Sequence, residues 1–364
     1  GDETTGFILM LRLIDYLLTN YGINSEEGQR VTELVNTLEI WINPLANPDG
    51  TYAGGNNSVY GATRFNANGV DLNRNDPDPE DGQHPDGNAW QTETQHFMAM
   101  AANNNFVMSA NLHGGAEVFN YPWDTWAKLH ADDQWWYFAG REWVDTVHVY
   151  SPTTYFSGFD NGVSNGYQWY SISGGRQDYM NFFHHCREFT LEISNTKLLP
   201  ADQLPDFWEY NKRSFLNYLH RVRYGIRGRV VDAATGDPLK AAVYLENHDM
   251  DESWVSTNSQ GWFFRPVIEG THVLSFFSPA YEMKTMEVSV ADNYSVTSIN
   301  LNLQYTGSGV EEKRFADLFT LATDRENSRH KLIYHGAEPV SLLLRVHDLG
   351  GRLISETNCF LSPD

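Results

Sequence analysis

Two cysteines, Cys186 and Cys359, are all that 364 residues contain. That excludes a disulfide scaffold and a cysteine-ligated zinc cluster. Positive charge is also scarce: 25 Lys and Arg stand against 47 Asp and Glu, a net charge of −22. Nucleic acid needs a basic footprint, and anionic membrane surfaces attract the same kind of patch, so neither is expected as a partner. No uncharged apolar run approaches the ~18 residues of a membrane span. Fixed-period repeats and low-complexity tracts are lacking too. What is present is a globular balance, 41% hydrophobic and 20% charged, in a chain long enough for two or three domains. Aromatics reach 14% with 11 Trp; an acidic, aromatic-rich chain of this kind points to a secreted, cell-surface or periplasmic protein, acting as a monomer. The chain starts Gly-Asp-Glu and stops at Asp364 after an apolar run. Both ends read as cut, so the start says nothing about targeting.

Residues 4–20 carry apolar positions at helical spacing, with Thr4 or Thr5 as cap and Gly22 beyond the end. Residues 37–43 read as a buried strand, 51–88 as loop rich in Gly, Asn, Asp and Pro, and 90–104 as a helix. A strand over 106–112, a helix over 132–149, a strand over 186–193 and a helix over 205–223 follow. This alternation predicts α/β architecture, a mixed, mostly parallel sheet flanked by helices. From 226 to 303 the segments are short, alternate in polarity and are broken by Gly, Pro and Asn, the pattern of a small all-β sandwich. The expected organisation is therefore 1–225, 226–303, and a linker with a β-rich tail over 304–364.

Several polar residues stand at strand ends and in loops, where a rigid sheet usually carries its site. Glu192 lies inside the apolar run FTLEIS; an ionised carboxylate there needs a partner, a raised pKa or a metal-bound water beside it, unless it simply faces solvent. His113 follows the strand FVMSANL and precedes two glycines, and Glu3 opens the first helix, where a negative charge is favourable in any case. Arg64 and Arg74 flank FNANGVDLN. Taken singly, none identifies a chemistry.

Taken together, ANPDG at 46–50, RFNANGVDLNRN at 64–75, NLHGG at 111–115, YPWD at 121–124, NGYQWYSISGGRQD at 165–178 and FTLEIS at 189–194 resemble the zinc metallocarboxypeptidases. The branch that includes carboxypeptidases D, E and N is the nearest in pattern. The likeness runs in order over residues 1 to about 223 and continues into 226–303, which is similar to that branch's transthyretin-like β-sandwich.

The resemblance implies one Zn2+ ion, with Glu3 and His113 at ligand positions and an open position for water. It implies that Glu192 is the general base and that Arg64 polarises the scissile carbonyl. Asn73 and Arg74 match the pair that holds a substrate's terminal carboxylate, and Tyr170, 22 residues before Glu192, matches the tyrosine that closes over it. Asp124, 11 residues after His113, and Gln177, 15 before Glu192, match positions that contact a basic terminal side chain. The expected function is removal of C-terminal Arg or Lys from peptides or proteins. The family's first zinc histidine would stand immediately before Gly1, and its upstream strands would precede that. The 364 residues alone are therefore expected to bind zinc weakly and to be weakly active or inactive. A non-catalytic peptide-binding module, or a carboxypeptidase acting on cell-wall peptides, is the alternative. VHDLGGRLI in the tail faintly resembles a bacterial C-terminal sorting domain; an ordinary hairpin fits as well.

Overall fold

A computed structural model describes residues 1–306 and, beyond them, the backbone of four strands within 319–361. The first 221 residues supply α1 (Thr4–Asn20), α2 (Glu26–Thr37), the single turn α3 (Pro48–Thr51), α4 (Thr92–Asn103), β1 (Met108–His113), β2 (Ala116–Tyr121), α5 (Asp133–Tyr150), β3 (Val163–Asn165), the single turn α6 (Gly166–Trp169), α7 (Arg176–His184), β4 (Arg187–Ser194) and α8 (Leu204–Arg221). Four strands form one sheet in the order β1-β4-β2-β3. β1 runs parallel to β4 and β2 parallel to β3, while β2 and β4 are antiparallel. This is the mixed, mostly parallel α/β sheet expected.

β4 is buried along its whole length, and its alternation divides the labour. Phe189, Leu191 and Ile193 enter a large core with Leu9, Leu13, Val31, Trp136, Trp143 and Phe215 from the covering helices. The intervening Glu188, Thr190 and Glu192 are therefore turned to the opposite face, where Glu188 pairs with Arg176 at the start of α7. Apolar packing on one face thus fixes polar groups on the other.

Three local expectations need correction. Thr4 and Thr5 do not cap α1 but lie buried in its first turn; the N-cap is Glu3, which makes no cap hydrogen bond because its carboxylate is engaged elsewhere. Residues 37–43 form no strand. Thr37 ends α2, a helix the periodicity left unassigned, whose cap is Ser25 Oγ accepting from Gly28 N at 3.0 Å. Leu38, Ile40 and Ile42 do face the core while Trp41 is exposed, so the strand-like alternation is real. Among the described residues, however, the segment lacks a ladder neighbour: a groove of about 1560 Å³ separates it from β1.

Beyond α8, β5 (Gly225–Asp232), β6 (Ala242–Leu245), β7 (Val255–Ser256), β8 (Trp262–Arg265), β9 (Gly270–Phe277), β10 (Lys284–Val290) and β11 (Val296–Leu303) form two sheets, β10-β9-β6-β7 and β11-β5-β8. Between them lies a second core including Val230, Val243, Phe263, Leu274 and Phe276. β12 (Phe319–Asp324) pairs with β13 (Arg329–Tyr334), and β14 (Val340–His347) with β15 (Leu353–Leu361). Most of the expected linker, from 307 on, and the Gly-Gly turn of VHDLGGRLI lie outside the described residues.

The β-rich part docks on the α/β part through buried charge. Asp132, just before α5, accepts from Arg187 of β4 at 2.7 Å and from Arg265 of β8 at 2.8 Å. His248 and Asp249, from the β6–β7 connection, complete the cluster. His185, Asn247, Asp251 and Glu252, all near this junction, adopt positive φ, a conformation non-glycine residues hold only where their surroundings impose it.

Candidate active site

The parallel register of β1 and β4 sets His113 directly opposite Glu192. Both lie at the carboxyl ends of their strands, where sites of open α/β sheets form. Glu3 comes in from the start of α1, and its Oε2 meets His113 Nδ1 at 2.7 Å. Its other oxygen accepts from Lys197 Nζ at 2.8 Å and Arg64 Nη1 at 3.3 Å. Burial alone would raise the Glu3 carboxyl, but His113 and Lys197 outweigh it and hold it well below the usual carboxylate range. Burial disfavours the charged His113 ring, yet Glu3, with Glu192 beyond it, raises its pKa. Glu192 has the opposite balance: burial dominates over His113 and pushes it up to about 7, and its Oε2 has no hydrogen-bond partner. A buried carboxyl with an idle oxygen and a pKa near neutrality suits proton transfer.

Arg64 is held by Asp71, Nε to Oδ2 at 2.7 Å, which aims its guanidinium at the Glu3 side of the site. Asn73 and Arg74 sit in a short 3-10 turn, Leu72–Arg74, which Asp71 caps by accepting from Asn73 N. Asn73 Oδ1 accepts from Arg176 N at 3.2 Å, tying this loop to α7. Tyr170 follows α6 and is 47% exposed; burial of the rest and the nearby Glu192 raise its hydroxyl pKa, while Arg74 and Arg64 oppose that. It is the half-free side chain over an otherwise fixed rim.

A small pocket adjoins Glu192 and is lined by Asn73, Asn120, Asp124, Tyr170 and Thr190 among others. Asp124 is 4% exposed, and burial raises its pKa, with Asn120, Arg74 and His113 working against it. The backbone there is locked: Asp124 N donates to both oxygens of Asp178, and Thr125 N donates to Oδ2 at 2.8 Å. Burial and the neighbouring Asp124 hold Asp178 well above the ordinary value. Gln177, 1% exposed, lies beside Asp124, and neither of its amide atoms has a full hydrogen bond.

All nine residues singled out from the sequence therefore surround one region. Four contributors were missed: Lys197 and Asp71, which set the charges of Glu3 and Arg64, Asp178, which fixes the Asp124 backbone, and Asn120, whose Nδ2 donates to Asp124 Oδ1 at 2.9 Å. Asn120 had a signal, an amide directly after the apolar pair Val118-Phe119 and directly before YPWD.

Residues 1–214 match the zinc carboxypeptidase family. The chain is 34% identical over 346 residues to carboxypeptidase D of Anas platyrhynchos, covering 90% of this chain and 24% of that protein. It is 33% identical over 308 residues to carboxypeptidase M of Mus musculus, covering 80% and 67%. It is 32% identical over 345 residues to the carboxypeptidase N catalytic chain of Homo sapiens, covering 84% and 72%. The chain thus spans about a quarter of carboxypeptidase D and roughly two thirds of the others. The structure of thrombin activatable fibrinolysis inhibitor shares the fold, with a TM-score of 0.50 at 15% identity, over 60% of this chain and 58% of that one. The chain belongs to the zinc carboxypeptidase family, a family whose cofactor is Zn2+.

The donor chemistry fits that metal: Glu3 and His113 converge a carboxylate and an imidazole, borderline-hard ligands typical of zinc sites. A second group, Asp132, His248 and Asp249, also brings three such atoms within 4.8 Å of one another. That group does not fit a cation, because Arg187 and Arg265 already neutralise its carboxylates. Among the described residues no helix is long and apolar enough to cross a membrane.

Proposed function

We propose that this chain is the catalytic part of a zinc-dependent exopeptidase that releases C-terminal Arg or Lys from peptides or proteins outside the cytoplasm. The observation that carries the reading is the junction of two different chemistries. The Glu3–His113–Glu192 cluster adjoins a pocket with a buried carboxylate, Asp124, at its base and the Asn73–Arg74 turn on its rim.

Zinc held by Glu3 and His113, with the third ligand the resemblance places before Gly1, would supply Lewis acidity at the scissile carbonyl. The chain's own groups do the rest. Arg74 and Asn73 hold the terminal carboxylate, so that only a chain end is recognised. Glu192 accepts a proton from the attacking water and returns it to the leaving amine, a role its raised pKa near 7 favours. Arg64 faces the charge that develops on the carbonyl oxygen. Tyr170 closes over the bound end and reduces access of bulk water. Asp124 pairs with a cationic terminal side chain and is left buried and unpaired by a neutral one, which is the basis of discrimination. We read 226–303 as a transthyretin-like β-sandwich that supports the catalytic part.

The test is release of the terminal residue from matched peptides ending in Arg and Phe, by the chain extended upstream in its natural reading frame, with zinc supplied. Faster release of Arg supports the reading. Release of Phe as fast as Arg rejects the pocket assignment, and zinc binding without any release favours a cell-wall peptide substrate. Neither zinc binding nor release leaves the peptide-binding module.

A further inference from the structure

The β-rich part carries a sheet face that neither its core nor the candidate active site uses. Alternation in the sheet β11-β5-β8 sends Ile226, Val230 and Phe263 into the second core. The residues between them turn outward, and the strand register sets them in rows. Ser298, Arg227 and Phe264 form one row; Asn300, Arg229 and Trp262 form the next. Neither row contains a carboxylate, although the chain has 47 Asp and Glu against 25 Lys and Arg.

The two guanidiniums on this face are underused. Arg227 Nε donates to Ser298 Oγ at 3.3 Å, and Arg229 Nε donates to the Gln260 carbonyl at 2.9 Å. Neither pairs with an acidic group among the described residues, so most of the five donors of each fork are left over. Beside them Trp262 is 38% exposed, and Ser298 and Asn300 are exposed. These groups fit one chemistry. A guanidinium fork takes a carboxylate bidentately, an indole covers an apolar surface, and hydroxyl and amide side chains exchange hydrogen bonds with hydroxyls. A pyranose ring that bears a carboxylate offers all three at once. An extended peptide fits less well. β5 is paired on both sides, by β11 and β8, so the backbone beneath the arginines has no free groups for a peptide's amides. Alternate positions on a strand stand about 7 Å apart, so the face repeats along β5 and suits a polymer.

We propose that the outer face of β11-β5-β8 binds an acidic polysaccharide whose sugars carry carboxylates. Sugar rings stack on Trp262, Arg227 and Arg229 hold carboxylates, and Ser298 and Asn300 meet hydroxyls. The net charge of −22 repels such a polymer from the rest of the surface and confines contact to this face. The site holds the protein on a carboxylated glycan, and it is independent of the exopeptidase reading because binding needs no turnover.

The experiment titrates the natural-frame enzyme with soluble alginate, neutral dextran and poly-glutamate by calorimetry, at low and at physiological ionic strength. Alginate is expected to bind, dextran not to bind, and poly-glutamate to bind at least about tenfold more weakly than alginate. Trp262→Ala, and separately Arg227→Gln combined with Arg229→Gln, should each weaken alginate binding at least about tenfold, the scale of losing one interface anchor. Only the arginine variant should flatten the salt dependence. Melting temperatures close to that of the parent show that the variants fold. Should Trp262→Ala melt below the assay temperature, Trp262→Leu, which keeps apolar bulk without the ring, is read instead. Poly-glutamate bound as tightly as alginate points to an acidic polypeptide and overturns the proposal, as does a tryptophan variant with unchanged affinity. Absence of binding overturns it too: the groove between residues 37–43 and β1 reaches Arg227 and Trp262, and a face covered by the enzyme's own upstream residues binds nothing.

Discussion

His113 and Glu192 are ladder partners on adjacent parallel strands, and the charge of Glu3 reaches both, raising one and the other. The proposed acid–base group and the proposed metal-ligand position are thereby fixed by backbone hydrogen bonds rather than by flexible loops. The consequences can be measured separately.

Glu192→Gln keeps shape and removes the proton acceptor. Turnover should fall by about 10²- to 10⁴-fold, the usual contribution of a general base, with zinc affinity within about threefold of the parent. Steady-state kinetics and a competition titration with a chelator read the two quantities. Loss of zinc together with turnover would show that Glu192 acts on the metal site instead.

Gly166→Ala drives a methyl group against Asp124 Oδ1, 1.8 Å from the position of the new carbon. Asp124 must move, so discrimination between Arg- and Phe-ending peptides should collapse while slow release of Phe persists. Retained discrimination would mean that Asp124 does not contact the terminal side chain.

The same carboxylate sets a pH dependence. Burial raises Asp124 above the ordinary Asp value, and only its ionised form attracts a cation. Preference for Arg over Phe should therefore decline as pH falls, beginning at a higher pH than a solvent-exposed Asp would give. The ratio of kcat/KM values against pH is the readout; a ratio flat across that range contradicts the assignment.

Asp76 tests the electrostatics of the fold. Burial, against the pull of Arg176, raises it to about 8, and its Oδ1 lacks a partner. The folded chain keeps the proton that the unfolded chain releases above pH about 4, so stability falls as pH rises from there towards 8. Asp76→Asn removes this slope, and its gain in melting temperature over the parent should widen across that window. A constant difference would show that Asp76 is already ionised in the native state.

Asp132→Ala leaves Arg187 buried without its carboxylate partner and Arg265 with Asp249 alone. Removing one partner of a buried ion pair costs about 3–5 kcal/mol, and here it should also uncouple the β-rich part from the α/β part. Calorimetry should resolve a second transition where the parent shows one. A single transition shifted slightly downward would mean that the junction relies on other contacts.

Much of the site was legible because its residues sit in short motifs whose order survives in sequence, and because a carboxylate within FTLEIS is conspicuous in an apolar strand. α1, β1, β4, α5 and α8 were legible from periodicity. The segment 37–43 was misread because alternation reports which residues face a core, as Leu38, Ile40 and Ile42 do, but not whether a neighbouring strand supplies a ladder. α2 was missed because only Val31 and Leu34, with Gly28, are buried on a largely polar helix. Lys197 and Asp71 act through contacts that fold-level geometry creates, and their own spacing announces nothing. The Asp132 junction joins residues more than a hundred positions apart.

The central claim is hydrolysis at a chain end by the Glu3–His113–Glu192 centre with the Asn73–Arg74 clamp. The most direct measurement is mass spectrometry of one peptide ending in Arg, presented as free acid and as C-terminal amide, with zinc and the natural-frame enzyme. The account predicts loss of the single terminal Arg from the acid and little or no reaction of the amide. Cleavage of the amide at an equal rate, or at internal bonds, would contradict it.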